Sequence, residues 1–401
     1  MPKFGRPVTT PTPLSVHVAG LRGFPGVQGG VERHCEKLYP RLIQHGITPT
    51  VYARGGYVAS KPYLHEGVEV IPLNSIRTAG IEAVAHTGLS ILHAQRCGAR
   101  LLHLHAIGPA LWTPFARRLG MQVVVTHHGF DYNRQKWSNS AKSILRRGEE
   151  MAIRHANGIV CISSEILESV RARNPVGMLA KIPNGVDRPT SIPSAELISE
   201  WGLESGRYFL LTARFVEEKG IPDLIHAWAD SGLADRCRLV IAGGEDHPSP
   251  HGDLIRSTAA EKGAVLTGVL SGERLHALYG HARAFILPSS HEGLPISLLE
   301  AMSWNLPVGA SSIPANLEVG LDPRVYFPYG DRQALAATLR ILHDGPARID
   351  HSASMTEYDW DRIATSTSAF YRLITAGRPP QRPSLPIRIA QRFEYPFRKR
   401  T

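Results

Sequence analysis

Short apolar runs, each closed by a glycine-rich or polar loop and followed by a stretch of helical spacing, recur along this chain in two successive series. Strands separated by helices cannot pair through tight hairpins. They need crossovers, which make the strands parallel and place helices on the sheet faces. The first series has strand-like runs at 14–20, 48–53, 68–73, 100–105, 122–126 and 158–163, with helices predicted over 31–44, 81–96 and 133–156. A break follows at Ile182-Pro-Asn-Gly-Val-Asp, Pro189 and Pro193. The second series runs through 208–213, 238–242, 264–267, 284–287 and 307–310, and a last helix is predicted over 360–375. The reading is an α/β chain of two Rossmann-like domains facing across a cleft: 1–190, 191–357, a C-terminal helix over 358–377 that crosses back to the first domain, and a tail over 378–401. A length of 401 residues suits two such cores.

The most apolar segment, 101–115, is interrupted by His103, His105, Pro109 and Pro114, so it does not supply the roughly 18 apolar residues of a spanning helix. The first residues, Met-Pro-Lys-Phe-Gly-Arg-Pro, lack the apolar core of a secretory signal. Cys35, Cys97, Cys161 and Cys237 form no C-x-x-C pair, which fits a reducing compartment. A cytoplasmic location is therefore expected. The net charge is +10, and much of it lies in the tail, where Arg378, Arg382, Arg388, Arg392, Arg398, Lys399 and Arg400 face Glu394 alone. Five prolines there favour an extended arm. That arm is either a solvated end or a contact with an anionic membrane surface, which would make the protein peripheral at the inner face of the cell membrane.

Ligands of open parallel sheets gather at the carboxyl ends of the strands, so the chemistry is sought just after them. Gly29 and Gly30 stand between the first strand and first helix, where bare amides approach an anion closely; a plain turn is the other reading. Arg214 and Lys219 follow the strand over 208–213. They could neutralise a diphosphate and the charge that grows on it as a nucleotide departs, or pair with Glu217 and Glu218 on the surface. In Pro288-Ser-Ser-His-Glu-Gly-Leu-Pro-Ile-Ser-Leu-Leu-Glu-Ala-Met, Pro295 suits a first helical turn whose amides face a phosphate. Glu292 then stays in the loop and Glu300 sits more than one turn along, so two carboxylates at two depths could grip different sugar hydroxyls, Glu292 a transferred hexose and Glu300 a ribose. Asp359-Trp-Asp361 matches a D-x-D metal signature, but its place before the last helix favours a helix cap, and no metal is expected.

With these residues in order, the chain resembles a family-4 retaining glycosyltransferase of the GT-B fold over most of residues 14–375. The resemblance rests on Glu292-x7-Glu300 together with Arg214 and Lys219. It implies a nucleoside-diphosphate sugar as donor, no cofactor, and donor-binding roles for Gly29, Gly30, Gly243, Gly244, Val269, Gly293, Leu294, Pro295 and Glu300. It implies catalytic roles for His128, Arg214, Lys219 and Glu292. Val125-Thr-His-His-Gly-Phe is similar to a bacterial subgroup acting in surface-polysaccharide assembly and aligns His128, rather than His127, with the family's active-site histidine. Two departures stand out. Asn305 replaces a common glycine, which is expected to alter a turn, and Leu294-Pro295-Ile296 replaces Phe-Gly-Leu, which is expected to alter donor choice.

The resulting expectation is hexosyl transfer, with retention, to a lipid-linked or polysaccharide acceptor. The basic helix over 133–156 faces either such an acceptor or water. One rival is a GT-B epimerase or a soluble sugar-phosphate glycosyltransferase. Another is a noncatalytic glycan- or nucleic-acid-binding protein, which the confinement of charge to a tail argues against.

Overall fold

The computed structural model describes residues 13–27, 29–74, 82–133, 138–245 and 247–376. The basic tail, Arg134 and Lys136 therefore lie outside the described residues.

The first sheet comprises β1 (Leu14–Ala19), β2 (Ile47–Arg54), β3 (Tyr63–His65), β4 (Val68–Leu73), β5 (Leu101–His105), β6 (Gln122–His127), β7 (Gly158–Cys161) and β8 (Met178–Lys181). Their order is β3-β4-β2-β1-β5-β6-β7-β8, parallel throughout except for β3 against β4. The second sheet comprises β9 (Tyr208–Thr212), β10 (Arg238–Ala242), β11 (Val265–Gly268), β12 (Ala284–Leu287), β13 (Val308–Ser311) and β14 (Tyr326–Phe327), in the order β11-β10-β9-β12-β13-β14. These are two Rossmann-like α/β sheets facing across a cleft, the GT-B arrangement.

The runs read from the sequence are interior strands together with β11 at one edge of the second sheet, and the interior ones are rich in apolar residues because both faces are covered: every residue of β5, β6, β7, β12 and β13 is buried. The sequence pattern does not flag β3, β8 and β14, and all three are sheet edges. Edge strands are short and half-solvated, so they carry no continuous apolar run. The helix expected over 133–156 starts instead at Asn139, where Ser138 caps it by accepting a bond from the Ala141 N–H at 3.3 Å. Asn305 adopts φ 56°, a left-handed conformation that asparagine tolerates almost as glycine does, so the turn is kept. Its carbonyl accepts the Ile349 N–H at 2.8 Å.

Each sheet has one point at which the chain reverses its direction of strand addition. In the first, β1 lies between β2 and β5; in the second, β9 lies between β10 and β12. Strand carboxyl ends diverge there and open a crevice, which is where such sheets bind ligands.

The final helix, Trp360–Ala376, packs on the first lobe although it follows the second. Trp360, Ile363, Phe370, Tyr371 and Ile374 share a core with Val16, Val18, Leu38 and Val124. Its close seat requires small residues beneath it: a Cβ on Gly158 would fall 2.6 Å from Phe370 Cζ, and one on Gly185 2.4 Å from Trp360 Cδ2. Among the described residues no helix is long and apolar enough to cross a membrane.

Candidate active site between the two lobes

Two helix N-termini meet at the cleft. Gly29 precedes the Gly30–Ile43 helix with φ 154°, and no side chain caps that end; Pro295 precedes the Ile296–Ser303 helix, also without a side-chain cap. Pro295 thus sits one position before the helix rather than in its first turn. The ends are adjacent, since a Cβ on Gly30 would lie 3.9 Å from Ile296 Cδ1. Two helix starts, each the positive end of a helix dipole, converge where an anion can bind.

At the β9/β12 switch point the loops after both strands are tied together, with the Ser290 N–H donating to the Glu218 carbonyl at 2.8 Å. Lys219 from one loop donates to Glu292 Oε1 from the other, and both side chains are largely buried. The alternative pairing of Lys219 with its neighbours Glu217 and Glu218 is therefore not the one formed. On the other side, the loop after β9 is bonded to the loop after β10 through the Phe215 N–H and the Gly244 carbonyl at 2.8 Å. The Gly243 N–H in turn donates to Gly268 at 2.9 Å. Gly243 has φ 153°, and a Cβ there would lie 1.8 Å from the Ala213 carbonyl oxygen, so only glycine admits this approach. Val269 stands exposed beside Gly244. Arg214 lies between these two groupings, partly buried in the loop after β9.

Glu300 faces across the cleft. Arg33, on the Gly30–Ile43 helix of the first lobe, places Nη2 2.6 Å from Glu300 Oε1 as an ion pair outside hydrogen-bond alignment, and Tyr279 donates to Oε2 at 3.0 Å. Burial pushes the Glu300 carboxyl above its usual range, against the opposing pull of Arg33 and Tyr279. Beside it lies a cavity of about 290 Å³ lined in part by Arg33, Asp187, Arg188, Tyr279, Glu300 and Trp304.

The lobes touch where Gly293 meets His128 and Gly129. A Cβ on Gly293 would lie 2.3 Å from the His128 carbonyl oxygen, and Gly129 has φ 142°. Leu294 is buried in the core, so only its backbone can face a ligand. The adjacent histidines divide sharply. His127 is sealed against Glu149 at 2.9 Å, while His128 is partly exposed and its ring bonds through Nε2 to His105 Nδ1 at 2.9 Å. Burial and the neighbouring imidazoles hold His128 well below the usual histidine range.

Asp359 and Asp361 do not converge on a common point. Asp359 Oδ1 accepts the amides of Asp361 and Arg362 at 3.0 and 3.1 Å, and Asp361 meets Arg41 at 3.4 Å. Among the described residues no group of three or more His, Cys, Asp or Glu is placed to hold a metal ion. Sequence reasoning passed over Arg33, Tyr279 and the histidines His34, His103 and His105. The alternation Leu-His-Leu-His in β5 was the one available signal, since it puts both imidazoles on one face.

With this geometry in place, comparison with known proteins is informative. The family described as Glycosyltransferase Family 4 matches residues 28–189, and that described as Glycosyl transferases group 1 matches residues 195–359. The alpha-D-kanosaminyltransferase of Streptomyces kanamyceticus is 26% identical over 298 residues, 70% of this chain and 75% of that protein. The alpha-maltose-1-phosphate synthase of Mycobacterium tuberculosis is 28% identical over 258 residues, 57% of this chain and 66% of that protein. Among solved structures, the sucrose-phosphate synthase of Thermosynechococcus elongatus superimposes with a TM-score of 0.76 at 22% identity, covering 91% of this chain and 100% of that one.

Proposed function

We propose that this chain, a GT-B fold glycosyltransferase related to the group 1 and Family 4 glycosyltransferases, moves a hexosyl group with retention from a nucleoside-diphosphate sugar to a soluble sugar-phosphate acceptor. The observation that carries the donor half is the meeting of two helix N-termini at Gly30 and Ile296, with Lys219 held by Glu292 in the loop that leads into the second. A diphosphate seated there gains charge as the glycosidic bond breaks, and amides and cations already aimed at it favour the transition state over the ground state. In this reading Arg214 and Lys219 take the phosphates and Glu292 orients both Lys219 and the transferred hexose. Glu300 accepts from the ribose through Oε1, with the adjoining cavity giving it room. Gly243, Gly244 and Val269 frame the nucleobase edge. His128 holds the sugar at the reacting face.

The acceptor half is supported by the names of two relatives, alpha-maltose-1-phosphate synthase and sucrose-phosphate synthase, which point to soluble phosphorylated sugars. This departs from the lipid-linked or polysaccharide acceptor, and from the surface-polysaccharide subgroup, expected from the sequence. A lipid-linked acceptor at a membrane surface stands as the second reading because the Asn139–His155 helix exposes Ile144 next to Arg146 and Arg147.

The deciding experiment is a screen of nucleoside-diphosphate sugars against sugar phosphates and polyprenyl-phosphate-linked sugars, following nucleotide release and product. Acceptor-dependent release with a sugar phosphate, lost in Glu292→Ala and Arg214→Ala, is expected. Release that persists unchanged in both variants rejects the site, and turnover only with the lipid-linked acceptors establishes the second reading.

A further inference from the structure

A chain of buried hydrogen bonds runs inward from His128 through the first lobe. His105 Nδ1 lies 2.9 Å from His128 Nε2, and His105 Nε2 lies 2.6 Å from the Tyr39 hydroxyl. Tyr39 is 3.0 Å from His103 Nδ1, which is 2.5 Å from the hydroxyl of Tyr371 on the final helix; His103 Nε2 is 2.7 Å from Thr126 Oγ1. His103, His105, Tyr39 and Tyr371 are each no more than 1% exposed. Nothing in the donor chemistry above uses them.

The proton positions can be worked out from the distances. A phenol is a more acidic donor than a neutral imidazole, and an imidazole nitrogen accepts better than a phenol oxygen, so the shortest contacts have the tyrosines donating. Tyr39 then donates to His105 Nε2. A neutral imidazole has one N–H, so that of His105 is on Nδ1 and donates to His128 Nε2. His128 in turn must carry its own proton on Nδ1. Tyr371 likewise donates to His103 Nδ1, which leaves the His103 proton on Nε2 facing Thr126 and makes the longer 3.0 Å approach of Tyr39 to His103 Nδ1 a contact with no proton of its own. The rings stay neutral because burial pushes His103 down to about 3 and His105 and His128 well below their ordinary value. His34, edge-on to His128 with ring centroids 5.2 Å apart, is likewise lowered to about 4.

We propose that His105 is a positioning residue which, backed by Tyr39, fixes His128 as the Nδ1–H tautomer and so makes it a hydrogen-bond donor in the cleft. His128 Nδ1 bonds to no other described residue and is not sealed from solvent, so this N–H is left to meet an oxygen of a bound sugar. The inference deepens the proposed function, and its role in turnover rests on that reading. The tautomer itself does not.

The test uses the full chain with ¹⁵N-labelled histidine. Nitrogen shifts and couplings of His128, assigned by their loss in His128→Gln, are expected to report a proton on Nδ1. A proton on Nε2 overturns the proposal, whether or not any nucleotide sugar is turned over. Tyr39→Phe keeps the ring but removes the donor. It is expected to mix the two tautomers and to lower kcat about tenfold, the worth of one neutral hydrogen bond, with donor KM within about twofold. His105→Asn and His105→Gln separate positioning from packing: the Asn amide reaches the place of Nδ1 and can still donate to His128, whereas the Gln amide reaches that of Nε2. Asn is expected to retain the tautomer and most of kcat, and Gln to lose both. Equal behaviour of the two variants in the nitrogen spectra assigns His105 a packing role and rejects the proposal. Absence of turnover by the unmodified protein counts against the proposed function and leaves the tautomer of His128, as read from the nitrogen shifts, unaffected.

Discussion

The two lobes, one of eight strands and one of six, share the same strand order around a switch point and fill it with different chemistry. Around β1 and β5 the first lobe places neutral groups, with His103, His105 and Tyr39 closed off from water and His128, bonded to His105, open to solvent at the mouth. Between β9 and β12 the second lobe places charges, Lys219 against Glu292, and its Glu300 draws Arg33 across from the first lobe. The difference teaches how a shared crevice is put to use. A lobe that must stabilise growing negative charge needs fixed cations and amides, whereas a lobe that must hold a neutral hydroxyl needs one correctly protonated nitrogen, for which burial and hydrogen bonds suffice.

The strongest way to break the comparison is at the charged pole. Lys219→Ala removes the cation proposed to meet the diphosphate and leaves Glu292 without its partner. Turnover of the nucleotide sugar is expected to fall by about 10²–10³, the cost of losing one preorganised charge-stabilising group, as read by nucleotide release. A change under tenfold would mean that the charge of the second lobe is structural.

The neutral pole is broken by acid. His34 is buried with its ring lowered to about 4 and His103 to about 3, against about 6.5 in an unfolded chain. Because the folded values are depressed, the stability tied to keeping these rings neutral is fully present above about pH 6.5 and is lost as pH falls through about 4. The amount is on the order of 3 kcal/mol for His34. Thermal unfolding between pH 7 and 4.5 should show that loss, and His34→Gln should flatten the slope between pH 6.5 and 5; an unchanged slope in the variant would remove His34 from the account.

Gly293 probes the seam where the poles meet. Its substitution by alanine drives a Cβ toward the His128 carbonyl, and overpacking of this kind costs about 1–3 kcal/mol. Here the strain falls on the contact between lobes, so kcat/KM should drop by about ten- to a hundredfold while the unfolding temperature stays nearly constant. The smallest effect is expected from Arg33→Gln. Arg33 is 45% exposed and its attraction for Glu300 is screened, so freeing Oε1 for a ribose should tighten nucleoside-diphosphate binding by no more than about fivefold, or ~1 kcal/mol, in calorimetry.

Much of this architecture was open to reading because local physics writes it plainly. A strand buried on both faces carries a short, nearly continuous apolar run, so β7 and β12 stand out, and the glycines at Gly29 and Gly243 mark turns where a side chain has no room. The edge strand β11 was still legible, whereas β3, β8 and β14, two to four partly solvated residues each, carry no apolar run that marks them. Asn305 was expected to disturb a turn, yet its backbone adopts the left-handed conformation the turn needs.

The candidate site divides along the same line. The sequence alone determined which charged residues follow which strands, because strand ends and the loops after them are local. It was silent on partners: that Lys219 meets Glu292 rather than Glu217, that Glu300 is met by an arginine from the other lobe, and that a tyrosine at 371 stands behind histidines at 103 and 105. Those contacts span up to 268 positions of sequence. Only the folding of both sheets, and the return of the final helix onto the first, brings such groups into hydrogen-bonding range. Burial then decides whether a side chain such as His105 or Glu300 is held neutral or charged, and burial belongs to the assembled structure.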